Sequence, residues 1–225
     1  MIVTQKPGRR AYLTNARQLV IIGGRCEIDV RAARCGGTSL LARGAETDLA
    51  HLRLVADDKL GAILEVDQPE GAAVDQPEGG ALGLDLAWAA GCRLVLRNVV
   101  AAIQVHRAVR RTSMALEGAS RVRVEHLADA SVVVAGRSEL ELGDVSGARL
   151  DVEVAEHGRV RATGHVRRLD ACVSGYGNLC FGGSAQVARL SSDGPASISV
   201  VRVSSKLTRI CSGSGTIAVV YPPHD

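Results

Sequence analysis

The sequence predicts an all-β fold, a parallel β-solenoid with a repeat of about 19 residues. Three observations predict it. Apolar–x–apolar pairs return at a single period in two interleaved series. The segments alternate with period two, the strand pattern in which successive side chains face opposite ways, and they lack the i, i+3, i+4 spacing of a helix. Gly- and Ser-rich turns separate the segments. One Trp, three Tyr and one Phe in 225 residues suit a narrow interior filled by stacked Val, Leu, Ile and Ala.

Residues 1–80 are the least regular. Ile28/Val30, Leu52/Leu54 and Leu64/Val66 alternate but do not hold the period, which reads as early rungs with longer turns or as a cap. A duplicated hexapeptide, Val66-Asp67-Gln68-Pro69-Glu70-Gly71 and Val74-Asp75-Gln76-Pro77-Glu78-Gly79, has the Pro/Glu/Gly content of an exposed loop over 66–80.

Residues 81–221 carry the regular solenoid. The first series is Leu84/Leu86, Ile103/Val105, Val122/Val124, Leu140/Leu142, Val160/Ala162, Leu179/Phe181, Ile198/Val200 and Ile217/Val219, each pair one period from the last to within a single position. The second is Leu94/Leu96, Met114/Leu116, Val132/Val134, Leu150/Val152, Leu169/Ala171, Ala188/Leu190 and Leu207/Arg209, at the same spacing. Each unit therefore holds two short strands. One unit alone cannot bury its apolar face; stacked units can, with equivalent strands paired in parallel about 4.8 Å apart. Val109, Val145, Val166 and Val203 are candidates for a third face near the corners. This period fits a six-residue left-handed repeat poorly, so a right-handed coil is expected. Arg209 stands where the pattern asks for an apolar side chain, so the last turn is expected to leave register, with Ile210 or Cys211 filling in. Trp88, near the start of the repeat, either covers the first rungs or anchors the N-terminal segment. Residues 222–225 form a tail in which Pro222 and Pro223 end strand pairing.

Composition excludes several classes. Lys+Arg 27 against Asp+Glu 24 is too balanced for a nucleic-acid groove, and so few aromatic rings leave little to stack on bases or sugars. No apolar run reaches the roughly 18 residues of a membrane span. The N-terminus has no basic-then-apolar leader pattern, which gives a cytoplasmic setting for the chain as it stands and a cell-envelope or extracellular one if a leader has been removed. Cys26, Cys35, Cys92, Cys172, Cys180 and Cys211 share no metal-ligand spacing and read as reduced, structural thiols.

Candidate contact residues lie between the apolar partners, where side chains face solvent. Arg123, Glu141 and Arg161 alternate in sign across three rungs as a cross-rung ladder, and Asp151, Asp170 and Arg189 form a second outward column. Paired carboxylates beside an arginine can serve acid–base chemistry or hold a cation. The long turns and aromatic platforms of sugar-cleaving β-helices are missing, so these columns read as charged surface. His51, His106, His126, His157, His165 and His224 form no HxH or HExxH pattern. The Gly-x-Gly pairs precede strands, not helices, and read as turns instead of phosphate cradles. Arg107, Arg110, Arg111, Arg167 and Arg168 fall at corners. No catalytic, metal or cofactor residue is assigned.

The turns Ser174-Gly175-x-Gly177-x-Leu179, following Leu169, and Ser212-Gly213-Ser214-Gly215-x-Ile217, following Leu207, recur in register with the strand period. In these the chain resembles the GIN domain, the auto-transporter adhesin head family, best over 118–221 and more loosely from 81. The resemblance implies a right-handed β-helix of bacterial origin, members that are typically exported, and no catalytic residues to carry over. The expected function is a non-enzymatic structural or interaction module that displays a rigid surface to a protein partner or to itself. No nucleic acid, small-molecule ligand or cofactor is expected. A self-assembling scaffold that stacks end to end, comparable to the bactofilins, is the alternative; a carbohydrate-active β-helix enzyme is the third reading.

Overall fold

In a computed structural model, the structure describes residues 3–6, 9–14, 18–23, 25–32, 38–43, 52–57, 61–66, 82–88, 93–105 and 111–221. The described residues form strands and turns. In chain order the strands are β1 (Val3–Lys6), β2 (Arg9–Thr14), β3 (Gln18–Ile22), β4 (Arg25–Ala32), β5 (Thr38–Arg43), β6 (Leu52–Asp57), β7 (Gly61–Val66), β8 (Leu82–Trp88) and β9 (Arg93–Arg97). They continue as β10 (Val100–Val105), β11 (Arg111–Glu117), β12 (Arg121–Leu127), β13 (Asp129–Val134), β14 (Glu139–Val154), β15 (Arg159–Ser174), β16 (Asn178–Asp193), β17 (Ser197–Ser212) and β18 (Thr216–Tyr221).

The architecture is a parallel β-solenoid of about seven turns with 19-residue spacing. Two long sheet faces run down it. On one, β10, β12, the first half of β14 and the starts of β15, β16, β17 and β18 pair in parallel. On the other, β9, β11, β13 and the second halves of β14 to β17 do the same. From β14 to β17 the two short strands expected per unit merge into one 16-residue strand. That strand turns the corner through irregular register, as between Leu142 and Val145. The corner supplies the third face, where Val145, Val166 and Val203 are buried; Val109 lies outside the described residues.

Both apolar series point inward. Every member from Leu94 to Val200 is buried, and the register stacks them rung on rung, as in Leu150↔Leu169↔Ala188 and Leu142↔Ala162↔Phe181↔Val200. Each fully buried Val, Leu or Phe contributes roughly 1.5–3 kcal/mol of transfer free energy, so the stacked columns hold the fold together. Phe181, the largest side chain fully buried, follows Ala162 in its column, so a small residue makes room for a large one. Inner corners carry small polar groups. Ser120 and Ser138 are buried, and Ser138 Oγ accepts the Ser120 N–H at 3.2 Å and donates to Gly118 O at 3.3 Å. The turns at Gly118, Gly136, Gly194 and Gly213 have φ between +71° and +79°, and Gly175 has +64°. Glu156 occupies the same place in its turn at φ +59°.

Two expectations are corrected. Arg209 does not leave register: it pairs with Leu190, with Ile210 opposite Ser191 and Cys211 opposite Ser192. Ile210 is 61% exposed and fills nothing. Among the described residues β17 is the last strand on that face, and Arg209 is exposed, so its charge stays in water. The outward side, expected to be solvated, is apolar and buried at one place. Val20, Val95 and Ala115 stack in register as a small second cluster, with Ile22 and Val133 packed against it.

The N-terminal third is built differently. β3 lies between β7 and β9, and β4 lies between β8 and β10, so spatial order departs from chain order. β1, β2, β5 and β8 pair antiparallel in succession, as do β6 and β7. Ile28 is buried on β4, Leu52/Leu54 fall on β6 and Leu64/Val66 on β7. Trp88 ends β8 opposite Ala32. The duplicated acidic segment beyond Val66 and the Pro222–Pro223 tail lie outside the described residues.

Candidate functional site

Parallel pairing at this register turns sequence periodicity into surface columns, because every outward residue stands above its equivalent one rung away. Asp151, Asp170 and Arg189 are brought together in this way, with Thr208 next in the column. Arg149 and Arg168 flank them from the corner. Arg149 Nε donates to Asp151 Oδ1 at 2.6 Å, and its Nη2 lies 3.2 Å from Asp170 Oδ2. Arg168 Nε donates to the same Asp170 oxygen at 2.7 Å. The other Asp170 oxygen, Oδ1, is buried without a hydrogen-bond partner among the described residues. The hydrogen bond and charge of Asp151 raise the Arg149 pKa above its ordinary value.

The chain places Arg149 by a cross-rung contact. Asp129 Oδ1 accepts the backbone N–H groups of Ala148 at 2.6 Å and Arg149 at 3.0 Å, so a carboxylate on one rung fixes the corner of the next. Arg149, Asp151, Arg168, Asp170 and Arg189 line a groove of about 670 Å³ that also takes in Cys172, Ser191 and Ile210. Its charges are matched: Arg149, Arg168 and Arg189 against Asp151, Glu153 and Asp170.

Arg123, Glu141 and Arg161 are likewise in register and exposed on the other long face. Among the described residues the close ion pairs form in the adjacent column. Glu139 lies 3.6 Å from Arg121 and 3.6 Å from Arg159. Both columns line a second groove of about 400 Å³ whose wall includes Val100 and Ala102.

The sequence reading missed Arg149, Arg121, Glu139 and Arg159, and it placed Arg168 at a corner without pairing it with Asp170. A signal was present: Arg149 and Arg168 are one period apart, two positions ahead of the Asp151/Asp170 pair, and 121/139/159 keep the period of 123/141/161. Cys172, Cys180 and Cys211, read as reduced, structural thiols, are free and exposed. His157 and Tyr176 stack at a corner with ring centroids 5.2 Å apart. Among the described residues no three His, Cys, Asp or Glu side chains gather to hold a metal ion. No helix there is long and apolar enough to cross a membrane.

Known proteins share this architecture. The chain aligns with a "putative lipid binding protein" from Parabacteroides distasonis ATCC 8503 at TM-score 0.60 and 16% identity, covering 95% of this chain and 97% of that one. A "putative adhesin" from Bacteroides fragilis NCTC 9343 aligns at TM-score 0.57 and 15% identity, over 96% and 98% of the two chains. Another from Parabacteroides distasonis ATCC 8503 aligns at 0.58 and 12%, over 95% and 98%. At these identities the likeness shows the fold. A comparison with curated protein sequences finds no match. Residues 86–223 match the family described as "Putative auto-transporter adhesin, head GIN domain", which spans the regular solenoid and more than half of the sequence. This chain belongs to that GIN-domain family.

Proposed function

We propose that this chain is a non-enzymatic interaction module of the cell envelope or exterior, and that it contacts a protein or surface partner through the groove around Asp151, Asp170 and Arg189. One observation carries the reading. Charged side chains of both signs are held in fixed columns on a rigid parallel sheet, tied to one another by the Arg149–Asp151, Arg149–Asp170 and Arg168–Asp170 contacts. Such a surface offers preset donors and acceptors with little ordering cost on binding. Family membership and the adhesin names of the structural neighbours support the same class of role.

The test is capture from a detergent-solubilised envelope fraction of the host. Wild-type chain is compared with an Arg149→Ala/Asp170→Asn/Arg189→Glu variant whose circular dichroism and melting curve match wild type. A protein retained by the wild type and lost with the variant is the expected result. Equal capture by both refutes this groove as the contact surface.

A further inference from the structure

The long face built by β10, β12, β14 and β15 carries a charge pattern that is its own complement. Its outward positions form two columns, two residues apart along each strand. One column reads Val100, Arg121, Glu139, Arg159. The other reads Ala102, Arg123, Glu141, Arg161, with Glu27 on β4 next to Ala102. Rung by rung the face is therefore low and uncharged, basic, acidic, basic. The columns wall a trough of about 400 Å³. Glu139 is held between Arg121 and Arg159, 3.6 Å from each. Arg123, Glu141 and Arg161 stand in the same register and are exposed, but make no such close pair among the described residues. Their charges are left to a facing surface.

Symmetry decides which surface. In a face-to-face pair of identical chains the twofold axis lies between the two sheets. An axis parallel to the solenoid would set each rung over itself, arginine on arginine and acid on acid, which repels. An axis parallel to the strands and midway between β12 and β14 sets unlike charges together and runs the two solenoids antiparallel. Arg121 and Arg123 then face Glu139 and Glu141 of the second copy, and the same symmetry brings its arginines onto these acids. One rung further out, Arg159 and Arg161 enter the low rung at Val100 and Ala102 of the second copy, where Glu27 supplies a charge of opposite sign. Moving the axis to between β14 and β15 still pairs acids with arginines there, but lays Arg121 and Arg123 over Asn178 and Cys180 and leaves the low rung unfilled.

We propose that this face is an interface between two antiparallel copies of the chain, with its twofold axis between β12 and β14. Four rungs at about 4.8 Å, crossed by about six residues at about 3.3 Å, cover about 400 Å² on each copy. That is the small end of specific interfaces, so the dimer forms at high concentration and depends on a network of charges more than on apolar burial. The face shares no residue with the groove around Asp170.

Sedimentation equilibrium up to about 1 mM chain tests this, in about 20 mM and about 500 mM salt, between which the screening length falls from about 20 Å to about 4 Å. The wild type is expected to dimerise in low salt and to lose at least about tenfold in affinity in high salt. Arg121→Glu/Arg123→Glu makes both central rungs acidic, and Glu139→Arg/Glu141→Arg makes both basic, so each variant alone should stay monomeric. Mixed in equal amounts the two restore every opposition and should form a heterodimer. Ala102→Arg, at an exposed position, fills the low rung with a like charge and should weaken the dimer at least about tenfold. The groove variant Arg149→Ala/Asp170→Asn/Arg189→Glu should dimerise as the wild type does. A wild type that stays monomeric in low salt, a dimer indifferent to salt, or a mixture no more associated than its two parts overturns the proposal. So does undiminished dimerisation of a charge-reversed or Ala102→Arg variant with a wild-type melting curve, or loss of the dimer in the groove variant. If a charge-reversed variant fails to fold, Ala102→Arg and the salt series decide.

Discussion

Glu156 is the one place in the regular corners from Gly118 to Gly213 where a side chain occupies the left-handed conformation that glycine otherwise takes. Its φ is +59°, between Gly136 at +73° and Gly175 at +64° on the neighbouring rungs. An L-residue there costs roughly 1–2 kcal/mol through the contact of Cβ with the following carbonyl. Glycine removes that cost but gives back about 0.4–1 kcal/mol through the freedom it adds to the unfolded chain. Glu156→Gly should therefore stabilise the protein by about 0.5–1 kcal/mol and raise its melting temperature by roughly 1–4 °C for a chain of this size. Glu156→Gln separates backbone from charge, because it removes the carboxylate and keeps the strained dihedral; it should gain nothing. The assay is thermal unfolding followed by far-UV circular dichroism, with denaturant titration on the same samples. A glycine variant that melts at or below wild type, or a glutamine variant that matches the glycine gain, refutes the backbone argument.

Three further outcomes are expected. Phe181→Ala empties the largest buried site, between Ala162 and Val200 in its column, and should cost about 3–5 kcal/mol in denaturant unfolding. A loss under about 1 kcal/mol would mean that the rungs collapse onto the gap. Ser138→Ala leaves the buried Ser120 N–H without the acceptor it has at 3.2 Å and should cost about 1–3 kcal/mol, and unchanged stability would show that another acceptor replaces it. Arg209→Leu extends the apolar column above Leu190 and removes the charge that guards an open edge. In high salt, light scattering should show concentration-dependent association absent from the wild type, and a monodisperse variant would remove Arg209 from that guarding role.

The regular solenoid was legible because each rung repeats one demand, an apolar pair facing a narrow axis, so position 160 says the same thing as 179 and 198. The outward columns followed from the same register: Asp151, Asp170 and Arg189 align because one full turn of the coil returns each to its place. Three things were not legible. Nothing in the alternation says which outward column forms the close ion pairs. The Arg121/Glu139/Arg159 and Arg123/Glu141/Arg161 series have the same period and signs, and only side-chain geometry favours the first. Arg168 was placed at a corner, but that it and Arg149 turn back onto Asp151 and Asp170 was not read, because period-two reasoning lapses where the strand bends. The N-terminal third loses its period because β3 and β4 are inserted between rungs that come later in the chain and because antiparallel strands join there.

A solenoid separates the two requirements on its sequence more cleanly than a globular fold. Inward positions must stay apolar and of complementary size, which keeps each rung in register with the next whatever lies outside. Outward positions are released from packing and can carry recognition, and along this chain they change character from rung to rung. Near β3, β9 and β11 the outer surface is apolar and covered. Around β14 and β15 it is a lattice of paired charges. Between residues 194 and 221 its charged side chains, Arg202, Lys206 and Arg209, are all basic. A uniform coating would serve solubility alone. The switch from paired to basic charge falls on the same rungs where the outward positions pass from the acids of β14 and β15 to Thr208 and Arg202, so the change is written into successive turns of one register.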